Sequence, residues 1–263
     1  MILKKGKNKM LYSLKQEIYK LKHKKISWIA TLILLLLMVI TGYSIGYEEA
    51  KVCLMTCYNA SYWITFILII VGATTFSMEF QNNTILTLLY KSSNKLKVYI
   101  AKFIVLSLYN IYLHAMAVFF TFILSMSIFK SNITWTTVYQ YGQPIWQNML
   151  NTMIVDLLTT TLVLSIVFML SCMVNNNAIV ITASVLVFFI GGNVSTDLLR
   201  IHKFIGVMKW NPFSMLNLTD QYYNYAGYIS ITHLTNLEMM LGTACYIVLF
   251  LTISYLIFRK KSF

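Results

Sequence analysis

Six apolar runs dominate this chain, at about 26–45, 58–78, 98–128, 145–173, 178–191 and 238–258. A bilayer core of about 30 Å needs roughly 20 helical residues to cross it. Runs of this length make the expected fold an all-α integral membrane protein with six transmembrane helices. The third and fourth runs exceed a simple crossing, which predicts tilt or projection beyond the bilayer. The fifth stops early at Gly191-Gly192 and predicts a half-span continuing into irregular or re-entrant structure.

The chain is 58% hydrophobic and 11% charged, whereas a soluble domain is about half apolar and about a quarter charged. Its 21 basic residues against 8 acidic ones would suit a nucleic-acid partner. Their placement excludes that class, because most flank the apolar runs and form no basic domain of their own. Nine lysines precede the first run, four lie within 79–102, and Arg259, Lys260 and Lys261 close the chain. Those 16 of 21 fall on one side of a six-span arrangement; Lys51, Lys130, Arg200, Lys203 and Lys209 fall on the other. The asymmetry predicts a multi-pass protein of a cell membrane (the bacterial cytoplasmic membrane), with both termini and the 79–102 connection cytoplasmic. The run at 26–45 is too long for a signal core and no small-x-small cleavage site follows it, so it reads as an uncleaved span.

Two flanking segments predict interfacial helices. Within 9–25, Leu11, Leu14, Ile18 and Leu21 recur at helical spacing among lysines, a pattern for a helix lying on the inner leaflet. Residues 192–237 form the largest outer segment. There STDLLRIHKFIGVMKW mixes Leu198, Leu199, Phe204, Ile205 and Met208 with Arg200, His202, Lys203 and Lys209 before Asn211-Pro212 stops it. The tyrosines of DQYYNYAGYIS suit a membrane–water boundary. With no repeat and no linker, residues 1–263 read as a single transmembrane domain.

Motifs for enzyme chemistry are missing. The glycines open no phosphate-binding G-x-x-x-x-G-K-[ST] loop, and neither H-E-x-x-H nor G-x-S-x-G occurs. The histidines at 23, 114, 202 and 233 are scattered, and no C-x-x-C pair suggests a metal. Cys53 and Cys57, four apart in an outer loop, are either bonded or two free thiols; Cys172 and Cys245 read as packing. Gly42-x-x-x-Gly46 either permits close helix approach or marks a helix end. Ionisable groups inside spans are expensive, and His114 and Asp156 are the clearest such cases. They could pair, contact a substrate or relay a proton, or each could serve a structural role.

The connection between the second and third spans reads SMEFQNNTILTLLYKSSNKLKVYIAKF. Glu79 and Phe80 end the second span, and Asn82, Asn83 or Thr84 can cap a new helix. Ile85, Leu88 and Leu89 share one side of that helix, a face that lipid or a protein partner must cover.

This connection resembles that of type-2 ABC transporter membrane subunits, where E-F-x-x-G-T is followed by a leucine pair, a basic residue and a lysine opening the next span. The matching residues are Glu79-Phe80-Gln81-Asn82-Asn83-Thr84, Leu88-Leu89, Lys95 and Ala101-Lys102. Asn83 stands where the pattern has glycine, Lys95 where it has arginine, and the turn proline is missing. The resemblance implies a cytoplasmic coupling helix seated on a separate ATPase subunit, with Glu79, Phe80, Thr84, Leu88, Leu89 and Lys95 at the ATPase-subunit interface. It implies that ATP and Mg are bound by that partner and that this chain holds no cofactor. It also implies a second permease copy or a sister permease, and a hydrophobic or amphipathic substrate moved through the lipid bilayer. Small members of this kind export or expel antimicrobial peptides, or move lipid-like compounds. Two other readings stay open: an ion-coupled secondary transporter using His114, Asp156 and Glu238, and a non-transporting membrane sensor or scaffold.

Overall fold

The computed structural model describes residues 2–45, 49–81, 95–129, 133–201 and 205–261. Among these the regular structure is helical, apart from one isolated bridge between Val138 and Pro144. Helix α1 (Ile2–His23) precedes the first span, α2 (Lys25–Ile45). A short α3 (Ala50–Met55) leads into the second span, α4 (Ala60–Gln81). The third and fourth spans are α5 (Lys95–Met126) and α6 (Ile145–Met173). The fifth is α7 (Asn177–Arg200). Three short helices follow, α8 (Ile205–Met208), α9 (Leu218–Tyr223) and α10 (Tyr225–Thr232), before the sixth span, α11 (Asn236–Lys260). These six helices are long and apolar enough to cross a membrane.

Helix α6 is the hub, packing against α3, α4, α5, α7, α9 and α11. Lipid is as apolar as leucine, so close packing and interhelical hydrogen bonds, more than escape from water, fix such a bundle. Near the end that carries both termini, Phe76, Tyr99, Phe168 and Phe258 bring together four helices. Phe76 stacks on Phe168 at 4.9 Å and lies 5.8 Å from Phe258, while Tyr99 meets Phe168 edge-on at 5.7 Å. Of the tight-approach glycines, Gly42 is covered by the Phe129 ring, where an added Cβ would lie 2.5 Å from the ring. Gly46 is outside the described residues.

The fifth span differs from its sequence reading. Helix α7 does not stop at Gly191-Gly192 but runs on to Arg200. The glycines serve close approach: a Cβ on Gly191 would come within 2.7 Å of Phe213, and one on Gly192 within 2.6 Å of Asn217. On α11, a Cβ on Gly242 would come within 2.8 Å of Met215. The three glycines thus form a trough, and the segment around 213–217 lies in it.

The segment read as an outer interfacial helix divides differently as well. Residues 195–200 belong to α7, residues 202–204 are outside the described set, and α8 is a single turn. Beyond it the chain folds back into the bundle. Asn211 accepts from the Ser214 backbone N–H at 2.9 Å and donates to the Ser195 hydroxyl at 2.9 Å, which closes the turn around Pro212. The Tyr246 hydroxyl donates to the Trp210 carbonyl at 2.6 Å, and Gln221 donates to the Leu234 carbonyl at 2.7 Å. Backbone carried into a bundle needs such partners, because each unpaired group there costs free energy.

The four cysteines are free; Cys53, Cys57 and Cys172 are buried, whereas Cys245 is exposed and not packed inside as its apolar context suggested.

Candidate functional site

At the end carrying the termini, four charged side chains close a ring. Lys102 of α5 is 0% exposed and sits between two carboxylates, 2.6 Å from Glu79 of α4 and 3.0 Å from Glu17 of α1. Lys20 of α1 completes the ring, 2.9 Å from Glu17 and 3.0 Å from Glu79. Charges therefore alternate around it. Glu17 and Lys20 share a helix face because they are three residues apart. Lys102 lies seven residues into α5, about 10 Å along its axis. A lysine at that depth in an apolar helix requires counter-charge.

The local electrostatics favour the ionised forms of Glu17 and Lys20. Burial raises the Glu17 carboxyl, but Lys102 and Lys20 together hold it below the ordinary carboxylate value. Burial lowers the Lys20 ammonium, but Glu79 and Glu17 hold it above the ordinary lysine value. Lys24, in the break between α1 and α2, is held below that value by burial and by repulsion from Lys102.

The ring brackets a segment of sequence. Glu79 lies in the last turn of α4 and Lys102 in the first turns of α5, the two helices that residues 82–94 connect in sequence. Lys95, at the start of α5, donates to the Arg259 and Lys261 carbonyls at 3.2 and 3.0 Å, tying this base to the end of α11. Of the six residues expected at an ATPase interface, Glu79 and Lys95 are placed here. Thr84, Leu88 and Leu89 lie outside the described residues, as does the side chain of Phe80. Sequence reading matched Lys102 to a motif and missed Glu17 and Lys20. The available signal was one acid, Glu17, among the lysines of an amphipathic helix.

A second polar site lies deeper, toward the opposite end. His114 of α5 and Asp156 of α6 are paired, Nε2 to Oδ2 at 2.9 Å. His114 Nδ1 lies 2.9 Å from the Asn110 carbonyl, which only accepts, so Nδ1 carries a proton. A further proton must lie between Nε2 and Oδ2, since two bare acceptors would repel. The pair is then neutral as a unit, whichever atom holds that proton. Thr219 of α9 reaches Asp156 Oδ1 and Thr159 Oγ1, both at 2.9 Å. Asn110 donates to Thr160 at 2.8 Å. Of the readings open for the two residues, the geometry gives the pair. Glu238 takes no part: it forms a capping box with Thr235 at the start of α11.

Beside this pair is a cavity of about 120 Å³, lined in part by Ser61, Tyr62, Asp156, Thr159, Thr219 and Asp220. The Tyr62 hydroxyl donates to Asp220 at 2.7 Å.

Residues 13–192 match the family model described as ABC-2 family transporter protein, more than half of the 263-residue chain. The chain belongs to the ABC-2 transporter family. It is therefore an ABC transporter permease, a membrane subunit of such a transporter. The matched part of this ABC-2 permease contains Glu17, Lys20, Glu79, Lys102, His114 and Asp156; Thr219 and Asp220 lie beyond it. No curated protein matches the chain.

Proposed function

We propose that this permease is the membrane half of an ATP-driven exporter whose ATPase is a separate subunit, and that it moves hydrophobic or amphipathic peptides out of the membrane or the cell. Residues 82–94 are the handle, with Leu88 and Leu89 in a groove of the ATPase and Glu79, Phe80, Thr84 and Lys95 around it. ATP and Mg act in the partner, and two permeases, identical or sister chains, frame the path. Both termini face the cytoplasm in this reading, as the 16-to-5 division of basic residues favours.

The observation that carries the reading is the placement of Lys102. It binds α1 through Glu17 and the end of α4 through Glu79, at the base of the segment the ATPase would hold. A displacement of that segment meets a salt-bridged block joining α1, α4 and α5. Force is then passed to whole helices and not absorbed by a slack loop. Coupling follows if the nucleotide states of the ATPase hold that block differently.

The test is protection of cells. Cells expressing the permease with its ATPase are challenged with a panel of cationic amphipathic peptides, beside cells whose ATPase cannot hydrolyse ATP. The expected result is raised tolerance to at least one peptide only with the active ATPase. Equal tolerance in both strains across the panel contradicts the reading.

The buried His114–Asp156 pair favours a second reading, proton-coupled transport. It predicts transport that persists without ATP, collapses with the proton gradient and is lost in His114→Ala. The ABC reading predicts transport that needs ATP and survives dissipation of the gradient.

A further inference from the structure

The cavity beside the His114–Asp156 pair has a composition at odds with its surroundings. It interrupts an apolar bundle with two acids, hydroxyls and aromatic rings. The neutral His114–Asp156 unit brings no net charge to it. Asp220 does: it is only partly buried, lines the cavity, and among the described residues forms no ion pair. Its hydrogen bonds come from tyrosine hydroxyls, Tyr62 at 2.7 Å and Tyr223. A carboxylate so placed lacks a cation. Burial pushes its carboxyl above the ordinary range, and the Tyr62 and Tyr223 hydroxyls do not fully offset that.

The rest of the wall is polar and aromatic. Ser61, on the same wall, is 8% exposed, and its hydroxyl has no hydrogen-bond partner. The rings of Tyr62, Phe188 and Tyr228 also face the space. Aromatic faces attract organic cations, while a small hydrated metal ion is served by oxygens alone. The volume of about 120 Å³ leaves room for a short alkyl chain ending in a charged nitrogen. The cavity reaches the surface at the exposed Asn193.

We propose that this cavity is a binding site for an alkylammonium group, specifically a lysine side chain of a cationic peptide. Asp220 meets the charge and the rings hold the methylenes. The lysine assignment rests on the peptide-export reading; the ammonium site itself does not. The site would give the permease a charge-selective contact with cargo on the side opposite its ATPase handle.

The test uses the full chain in phosphatidylglycerol nanodiscs without ATPase, titrated calorimetrically with n-butylammonium, with n-butanol and with sodium. The expected result is saturable binding of n-butylammonium, none of n-butanol, and competition by a short lysine-containing peptide. Asp220→Asn keeps the shape and the acceptor for Tyr62, and should weaken n-butylammonium at least about tenfold, the loss of one charge-assisted contact. If that variant does not purify folded, Tyr228→Leu should weaken binding several-fold. No binding by the wild type, equal binding by the variants, or sodium competing as well as the peptide overturns the proposal. Nanodiscs containing phosphatidylethanolamine provide a further arm. If that lipid blocks n-butylammonium and the peptide does not, the occupant is a lipid headgroup and the lysine assignment fails. Intact binding with no peptide tolerance in cells would count against the cargo reading and leave the site standing.

Discussion

Lys102 and Glu79 stand 2.6 Å apart on either side of the segment 82–94, a salt bridge that joins the point where the chain leaves α4 to the early turns of α5. Because Lys102 is fully buried, its loss leaves Glu17 and Glu79 sharing the partly exposed Lys20 in a site with little water. Removing one partner of a buried pair costs about 3–5 kcal/mol. Lys102→Met should therefore lower thermal stability in detergent by about that amount, read as a reduced melting temperature. Lys20→Met, at a site 33% exposed, should cost clearly less. Equal effects would show that the ring has no buried centre.

Glu17 gives the ring a pH signature. Its folded value lies below the ordinary 4.5, because Lys102 and Lys20 outweigh burial. A depressed folded value contributes stability above the unfolded value, and that stability is lost as pH falls through the folded one. Glu17→Gln should thus be less stable than the wild type at pH 7 and at pH about 5. The difference should close only in stronger acid. Closure already between pH 7 and 5 would contradict the ring as described.

Asp220 predicts the opposite slope. Burial holds its carboxyl above the ordinary 3.8. A raised folded value means stability that is full below the unfolded value and lost as pH rises through the folded one. Asp220→Asn removes that loss, so without ligand it should melt above the wild type at pH 7 and level with it near pH 4. A variant that melts lower at pH 7 would show Asp220 to be already compensated.

The trough formed by Gly191, Gly192 and Gly242 can be tested by single methyl groups. Gly192→Ala places a Cβ 2.6 Å from Asn217, and overpacking of this kind costs about 1–3 kcal/mol. Gly206, with open space where its Cβ would be, is the control. Gly206→Ala should leave the melting temperature nearly unchanged.

Those glycines also mark where sequence reading ended. Span number and type were legible because a bilayer imposes length and apolarity on each helix separately; α6 begins and ends at the expected residues, 145 and 173. Gly191-Gly192 looked like a helix stop because a local pattern cannot distinguish a break from a helix made thin for a neighbour. That neighbour, around Phe213 and Asn217, is more than twenty residues on. The same limit hid the ring. Glu79 and Lys102 were conspicuous as charges at span ends, but Glu17 is 85 residues from Lys102 and only tertiary packing unites them. His114 and Asp156 were visible as intramembrane ionisable groups; their pairing depended on the register of α5 against α6, which no local pattern encodes.

The central claim is that a separate ATPase grips residues 82–94, and co-purification tests it most directly. Leu88→Ala combined with Leu89→Ala removes the apolar face of the segment, where fully burying each leucine is worth roughly 1.5–3 kcal/mol. Membrane insertion, melting temperature and recovery of tagged ATPase are measured on the same preparation. Normal insertion and melting with ATPase recovery reduced at least about tenfold is the predicted result. A well-folded double variant that recovers the ATPase as fully as the wild type would contradict it.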